Sequence, residues 1–215
     1  ENSMVNAVDD RDLPLLKWGV IGCGRVSHDF CLALQRHVQS ASVVACATSN
    51  SLQRAQDFAQ LHSIQYAYCS YDELLANDDV QIVYVGNVHC FRREIGQACI
   101  QAGKHVLLEK PFTCKLEDAK YLIDLAKKKG VLLMEGLWTR FFPAVEKARQ
   151  LLPEIGTVVN VTSDFNFNAN DSEVYPDSPV YNRRLGGGAT LLTSPYPLSM
   201  ALLAFSGQRP TKVHV

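Results

Sequence analysis

Short apolar runs along the chain alternate with stretches whose apolar residues recur at helical spacing, the order expected of parallel strands joined by crossover helices. "LLKWGVIG" predicts the first strand. After it, Val26, Phe30, Leu34 and Val38 recur at i, i+4, i+8 and i+12, predicting a helix that lays this face on the sheet. "SVVACAT" predicts the second strand and "LQRAQDFAQLH" the second helix. Ser70 and Glu73 in "SYDELLA" have capping-box spacing and open a short helix. A strand in "VQIVYVG", a helix through "REIGQACIQAG" and a strand in "KHVLLEK" follow. Leu116, Ala119, Ile123 and Ala126 predict the next helix face, stopped at Gly130 by a left-handed cap, and "VLLMEG" closes the set of strands.

Beyond Phe142 the pattern changes. A helix through "AVEKARQLL" precedes "TVVNVTSDFNFNAN", whose alternation suits a sheet with one exposed face. A polar loop with Tyr175, Pro176 and Tyr181, the glycine run "LGGGAT", a helix through "LSMALLAF" and a strand-like "TKVHV" come next. The predicted organisation is a flexible polar tail over residues 1–13, a doubly wound parallel α/β sheet over 14–136, and over 137–215 the incomplete start of an α+β open-sheet domain.

Composition narrows the function. A formal charge of -1 over 215 residues supplies no basic field for nucleic acid or an acidic membrane, and no apolar run is long enough to span a bilayer. Seven cysteines show no C-x-x-C pair and no adjacent ligand set, which points to a reducing cytoplasm and away from a metal site. The N-x-S/T triplets at Asn160 and Asn170 fit glycosylation of a secreted protein, with chance occurrence in a cytosolic chain as the favoured reading.

"WGVIGCGRVS" places Gly22 and Gly24 between a strand and a helix, the context in which G-x-G signals a dinucleotide site. Gly22 permits the tight turn; Gly24 lets a pyrophosphate approach the backbone, with Cys23, Arg25 and Val26 completing the cradle. Ser27 stands where a third glycine is usual, small enough for close packing. After the second strand, "ACATSNSLQRA" has no acid for the adenosine ribose, while Thr48, Ser49, Asn50 and Ser51 can hydrogen-bond a ribose phosphate and Arg54 can neutralise it. NADP is favoured over NAD; the competing reading makes Arg54 a solvated helix residue.

Ligands of an open parallel sheet gather at the strands' carboxyl ends, where Asn87, His89, Glu109, Lys110 and Glu135 fall. A lysine beside a bound nicotinamide can assist proton movement, and Pro111 fixes the turn that aims it. The Lys110-Pro111 bond is also a place where a cis peptide costs little. The plain alternative is a surface lysine at a strand terminus.

"WGVIGCG", "AGKHVLLEKP" and "LLMEGLWTRFFPA" together resemble the glucose-fructose oxidoreductase and inositol dehydrogenase superfamily, and with "AFSGQRPTKV" are most similar to its dimeric dihydrodiol dehydrogenase branch, also described as NADP-dependent D-xylose dehydrogenase. The resemblance runs from Leu15 onward. It implies a Rossmann domain, a homodimer, and hydride transfer between a CH–OH substrate and NADP. It also implies that Lys110 is the active-site lysine, that Glu109 lies near the nicotinamide, and that His89 sits in a loop closing over the cofactor. Trp138 and Arg140 would wall nicotinamide and substrate; a core tryptophan is the alternative. Tyr196 occupies the place of the family's proton-exchanging residue, with a packed aromatic as the other reading, and Leu192 stands where relatives carry an aspartate. Ser194 and Pro195 are expected to cap and start the last helix. Because leucine cannot hold charge, and because the chain stops where relatives continue through an open sheet, a catalytically inactive nucleotide-binding or regulatory homologue is the competing function.

Overall fold

A computed structural model of the chain describes residues 13–166, 168 and 181–214, in two compact units that meet between Glu135 and Gly136. All of the predicted tail except Leu13, and Asn170, Tyr175 and Pro176 of the polar loop, lie outside the described residues.

The first unit is the predicted doubly wound sheet. Strands β1 (Leu16–Ile21), β2 (Ala41–Ala47), β3 (Tyr66–Tyr68), β4 (Ile82–Val85), β5 (His105–Glu109) and β6 (Leu133–Gly136) lie in the order β3-β2-β1-β4-β5-β6. β1 runs parallel to β2 and β4, β2 to β3, and β4 to β5. All four residues of β4 are buried, as a strand covered on both faces requires. Helices α1 (Arg25–His37) and α2 (Leu52–His62) cover one face, where Cys31, Leu34 and Phe58 pack on Val20, Val43, Cys46 and Tyr84. Helices α3 (Tyr71–Leu75), α4 (Arg92–Gln101) and α5 (Leu116–Lys129) cover the other, where Leu74, Ile95, Cys99 and Leu122 meet Ile21, Val83, Val106 and Leu108. Ser51 and Ser70 cap α2 and α3 with their hydroxyls, and Gly130 ends α5 at φ 69°.

Three details depart from the sequence reading. β3 is not visible as an apolar run, because its three residues, Tyr66, Ala67 and Tyr68, are only half-buried at the sheet edge. In α1 the buried stripe is Ser27, Cys31 and Leu34, and Val26 is 47% exposed. The helix comes closest to the sheet at Ser27, which leaves its predecessor a third of a turn away from the core. In α5, Leu122 and Ala126 are buried while Leu116 and Ile123 face outward, because Leu122 fits the notch left by Gly96 of α4, where a Cβ would lie 3.2 Å from it.

Two polar devices stand inside this unit. Lys104, at the entrance to β5, is buried and donates from Nζ to Asn77 O at 2.9 Å and Val80 O at 2.7 Å, fastening the entrance of β4. Between α1 and α2, His28 Nδ1 and His62 Nε2 lie 2.9 Å apart, and His62 Nδ1 is buried with no partner in the protein.

The second unit opens with a 3₁₀ turn, Trp138–Phe141, and α6 (Pro143–Leu151), followed by a 3₁₀ turn at Leu152–Ile155. After another at Arg183–Leu185 come α7 (Ala189–Leu192) and α8 (Pro195–Ala204). The turn before α6, α6 itself, the segment from Leu152 to Val158, α8 and the residues just after it border a groove of about 890 Å³ lined by Arg140, Val145, Leu152, Met200 and Phe205. The alternating stretch predicted as a sheet forms no strand over residues 157–166, and Val159 is 90% exposed; residues 211–214 are likewise not a strand. Alternation sets which face a strand would bury, but a strand forms only against a ladder partner, and none lies beside these segments among the described residues.

Candidate functional site

The sheet reverses direction between β1 and β4: the chain leaves β1 toward β2 on one side and leaves β4 toward β5 on the other, so the loops at their carboxyl ends diverge and open a crevice. Gly22 lines it at φ 89°, and a Cβ there would sit 3.0 Å from Asn87 N and 3.2 Å from Asn87 Cα. Only glycine tolerates both the left-handed backbone and that approach. Gly24 then begins α1 without a side-chain cap and with no acidic residue in the first turn, and a Cβ on Gly24 would meet nothing within 4 Å. An uncapped helix amino end facing open space favours an anion. Asn87 Oδ1, on the crevice wall, is buried without a partner in the protein, an acceptor that a ribose hydroxyl or a carboxamide N–H would satisfy. These residues fit a dinucleotide.

Ser27 replaces the usual third glycine at no loss of closeness. It is fully buried, its hydroxyl donates to Gly22 O, and a Cβ on Gly86, at the end of β4, would overlap Ser27 Oγ and stand 2.8 Å from Tyr84 Cε1. The missing side chain has moved across the crevice to Gly86.

On the ribose side the structure narrows the predicted set. Thr48 Oγ1 donates to Ser51 O at 2.7 Å and accepts from Ser51 N at 3.2 Å, while Ser51 Oγ accepts from Arg54 N, so both hydroxyls serve the start of α2. Ser49 and Asn50 are exposed. Arg54 is exposed on α2, and its Nε and Nη2 donate to Cys23 O at 3.3 and 3.1 Å, which sets the guanidinium against the glycine loop.

At the end of β5, Glu109 accepts from the Tyr84 hydroxyl at 3.0 Å and from its neighbour's amide, Lys110 N, at 3.0 Å. Burial, and then the Glu109 charge, push the Tyr84 hydroxyl above its ordinary range, so it stays a donor. The Lys110-Pro111 peptide is cis, and Glu135 of β6 accepts from Phe112 N at 3.0 Å. His89 opens a 3₁₀ turn, His89–Phe91, just past β4, and is 4% exposed.

Sequence reasoning missed the group that ties this turn together. Arg92 is 5% exposed; Nε and Nη2 donate to Asn87 O at 3.0 and 2.7 Å, and Nη1 to Glu109 O at 2.5 Å and Pro111 O at 2.6 Å. One guanidinium thus grips the carbonyls on both sides of Lys110 and joins them to the Asn87 loop. Burial pulls it down to about 10, against the opposing pull of Glu109, so it is charged at neutral pH. Its neighbour Arg93 points outward, toward Asp118 at 3.6 Å and the Tyr121 ring at 3.8 Å. Two adjacent arginines at a helix start gave no signal of which would be buried.

In the second unit, Trp138 is 62% exposed, which overturns the core-tryptophan alternative. Its Nε1 donates to the Tyr196 hydroxyl at 3.1 Å, and the Tyr196 ring lies 5.1 Å from Phe165, so two of the predicted site residues are brought together. Arg140 is exposed, and Leu192 is half-buried at the end of α7. Pro195 starts α8 as expected, but Ser194 does not cap it: its backbone is helical, and its hydroxyl donates back to Thr190 O.

The chain is similar to known proteins. The chain is 36% identical over 199 residues to a trans-1,2-dihydrobenzene-1,2-diol dehydrogenase of Xenopus laevis, covering 92% of this chain and 59% of the relative. It is 34% identical over 202 residues to the human protein of that name, covering 93% of this chain and again 59% of the relative. The chain therefore spans less than two thirds of the length of these relatives. Among solved structures, a 3-ketoreductase from Actinomadura kijaniata in complex with NADP matches with a TM-score of 0.62 at 30% identity, over 66% of this chain and 45% of the other. A protein of gentamicin A biosynthesis in complex with NAD shares the fold, with a TM-score of 0.76 at 20% identity over 91% of this chain and 55% of the other. The profile of an oxidoreductase family with an NAD-binding Rossmann fold matches residues 16–137, the span that holds the glycine loop, the Asn87 crevice and the Lys110 turn, and the chain belongs to that GFO/IDH/MocA family.

Proposed function

We propose that the chain carries the dinucleotide-binding part of an NADP-dependent dehydrogenase acting on a CH–OH donor, either a trans-dihydrodiol of an aromatic ring or an aldose such as D-xylose. The observation that carries the reading is the crevice itself: Gly22 turned against Asn87, an uncapped α1 with open space at Gly24, and a stranded acceptor at Asn87 Oδ1. The dihydrodiol dehydrogenase names of the relatives support the substrate class. A bound nicotinamide supplies hydride acceptance from the carbinol carbon. Lys110 meets the substrate hydroxyl and holds its proton as the carbon is oxidised, while Glu109 and Arg92 keep its backbone in place. NADP is preferred over NAD because the segment after β2 presents Ser49, Asn50 and the Arg54 cation without an acid. In the second unit, Tyr196 is the proposed proton-exchanging phenol and Trp138 and Arg140 the proposed substrate wall. The same reading takes the protein to be cytoplasmic; the family is homodimeric, but most of the sheet that would form the dimer lies outside this sequence.

Titration with NADPH and NADH tests the cofactor, with tighter NADPH uptake expected; equal or absent uptake of both refutes the preference. Lys110→Met is expected to abolish oxidation of a dihydrodiol or aldose while leaving NADPH binding intact. A second reading, an inactive nucleotide-binding homologue, draws on Leu192, an apolar residue in the helix before the proposed phenol. NADPH binding with no turnover of either substrate class would favour it.

A further inference from the structure

A phenol stands in the middle of a strand that is covered on both faces. Tyr84 of β4 is 1% exposed. Its ring stacks on Phe30 of α1, with centroids 4.0 Å and planes 2° apart, and a Cβ on Gly86 would stand 2.8 Å from Tyr84 Cε1. A leucine would fill such a slot without bringing in a hydroxyl that must be satisfied. The hydroxyl donates to Glu109 Oε1 at 3.0 Å. Tyr84 pairs with Leu107 across the β4 and β5 ladder, and Glu109, two residues further along β5, falls on the same face. The other carboxylate oxygen, Oε2, accepts from Lys110 N at 3.0 Å. Each oxygen thus has a fixed donor, one across the ladder and one in the adjoining backbone, and a carboxylate has further lone pairs to offer.

The strand order says which part of a ligand this carboxylate would meet. In β3-β2-β1-β4-β5-β6, the strands β2 and β4 flank β1. A dinucleotide with its pyrophosphate at Gly22 and Gly24, past β1, and its adenosine by Ser49 and Arg54, past β2, extends its nicotinamide half over the ends of β4 and β5. Glu109 is the last residue of β5. We propose that Tyr84 is a positioning residue for the cofactor: its hydroxyl aligns the Glu109 carboxylate to accept from a donor of the nicotinamide half, a ribose hydroxyl or the carboxamide N–H. The proposal rests on the reading that a dinucleotide seats in the crevice. Without the phenol, Glu109 loses its anchor across the ladder and its carboxylate turns about its own side-chain bonds, so the bound nicotinamide half must order it afresh.

Calorimetric titration of wild type and Tyr84→Phe with two probes tests this role. The probes are NADPH and adenosine 2′,5′-bisphosphate, which carries the adenosine end without the nicotinamide half. Phenylalanine keeps the ring against Phe30, and circular dichroism should show the fold unchanged. NADPH affinity should fall about tenfold, equivalent to about 1.4 kcal/mol, while bisphosphate affinity stays within about twofold. A hydroxyl with a purely structural role would lower both together or neither. In a Glu109→Leu background, Tyr84→Phe should change NADPH affinity by less than about twofold, because the phenol acts through the carboxylate. Unchanged NADPH affinity in Tyr84→Phe, equal weakening toward both probes, or a loss that persists undiminished in the Glu109→Leu background each overturns the role. Should wild type take up NADPH but not the bisphosphate, the Glu109→Leu comparison decides alone. Wild-type protein that takes up neither probe refutes the dinucleotide reading itself, and the role falls with it.

Discussion

Replacing Arg92 is the sharpest test of how the Lys110 turn is held. Arg92→Met keeps the bulk of the side chain but removes four hydrogen bonds to three carbonyls, those of Asn87, Glu109 and Pro111. Each buried carbonyl left without a donor costs about 1–3 kcal/mol. Three at the lower end come to about 3 kcal/mol or more, partly offset because a methionine does not carry the several-kcal/mol penalty of a buried cation. The expected net loss is about 2–4 kcal/mol, enough to shift a urea midpoint by roughly 1–2 M for a slope of about 2 kcal/mol/M. Arg92→Lys retains a charge and three donors without the planar fork, and should lose about half as much. Urea unfolding followed by the emission of the buried Trp18 measures both. If Arg92→Met unfolds within about 0.5 kcal/mol of wild type, the guanidinium is not what fastens the turn, since that is the scatter of neutral surface changes.

Gly86→Ala should destabilise the first unit by about 1–3 kcal/mol through overlap with Ser27 and Tyr84, and adding Ser27→Gly should recover most of it in a double-mutant cycle by thermal melts. Gly22→Ala should lower NADPH affinity at least tenfold with the fold intact by circular dichroism, because its φ of 89° and the 3.0 Å approach to Asn87 N both exclude a side chain. Burial, and then the charge of His28, hold the His62 imidazole below its ordinary range. The unfolded chain binds a proton there near pH 6.5 while the folded chain resists it, so this contribution to stability is complete above about pH 6.5 and is lost as pH falls below it. The urea midpoint of His62→Gln should therefore fall less than that of wild type between about pH 7.5 and about pH 5.5.

Much of the first unit was legible in the chain because a covered parallel sheet needs continuous apolar strands, and "IVYV" or "HVLL" cannot be mistaken for solvent-facing segments. The strand ends were legible for the same reason, and with them Gly22, Asn87 and Lys110. Helix faces were harder. A helical stripe read from apolar residues alone passes over Ser27, which is buried because it is small, and takes Ile123 in place of Leu122, whose burial depends on a gap in another helix at Gly96. Arg92 was illegible because composition marks arginine as a surface residue, and only the convergence of three carbonyls makes an interior place for it. The alternating segment after Gly156 misled for the opposite reason: its pattern is local, while strand formation depends on a neighbour.

Lys104 and Arg92 together have a mechanical consequence. They sit at opposite ends of the β4 and β5 pair, one ammonium anchoring the entrance through Asn77 and Val80, one guanidinium anchoring the exit through Asn87, Glu109 and Pro111. A ribbon pinned at both ends resists slipping in register, so the Lys110 side chain moves on its own methylene arm above a backbone that the two cations hold in place.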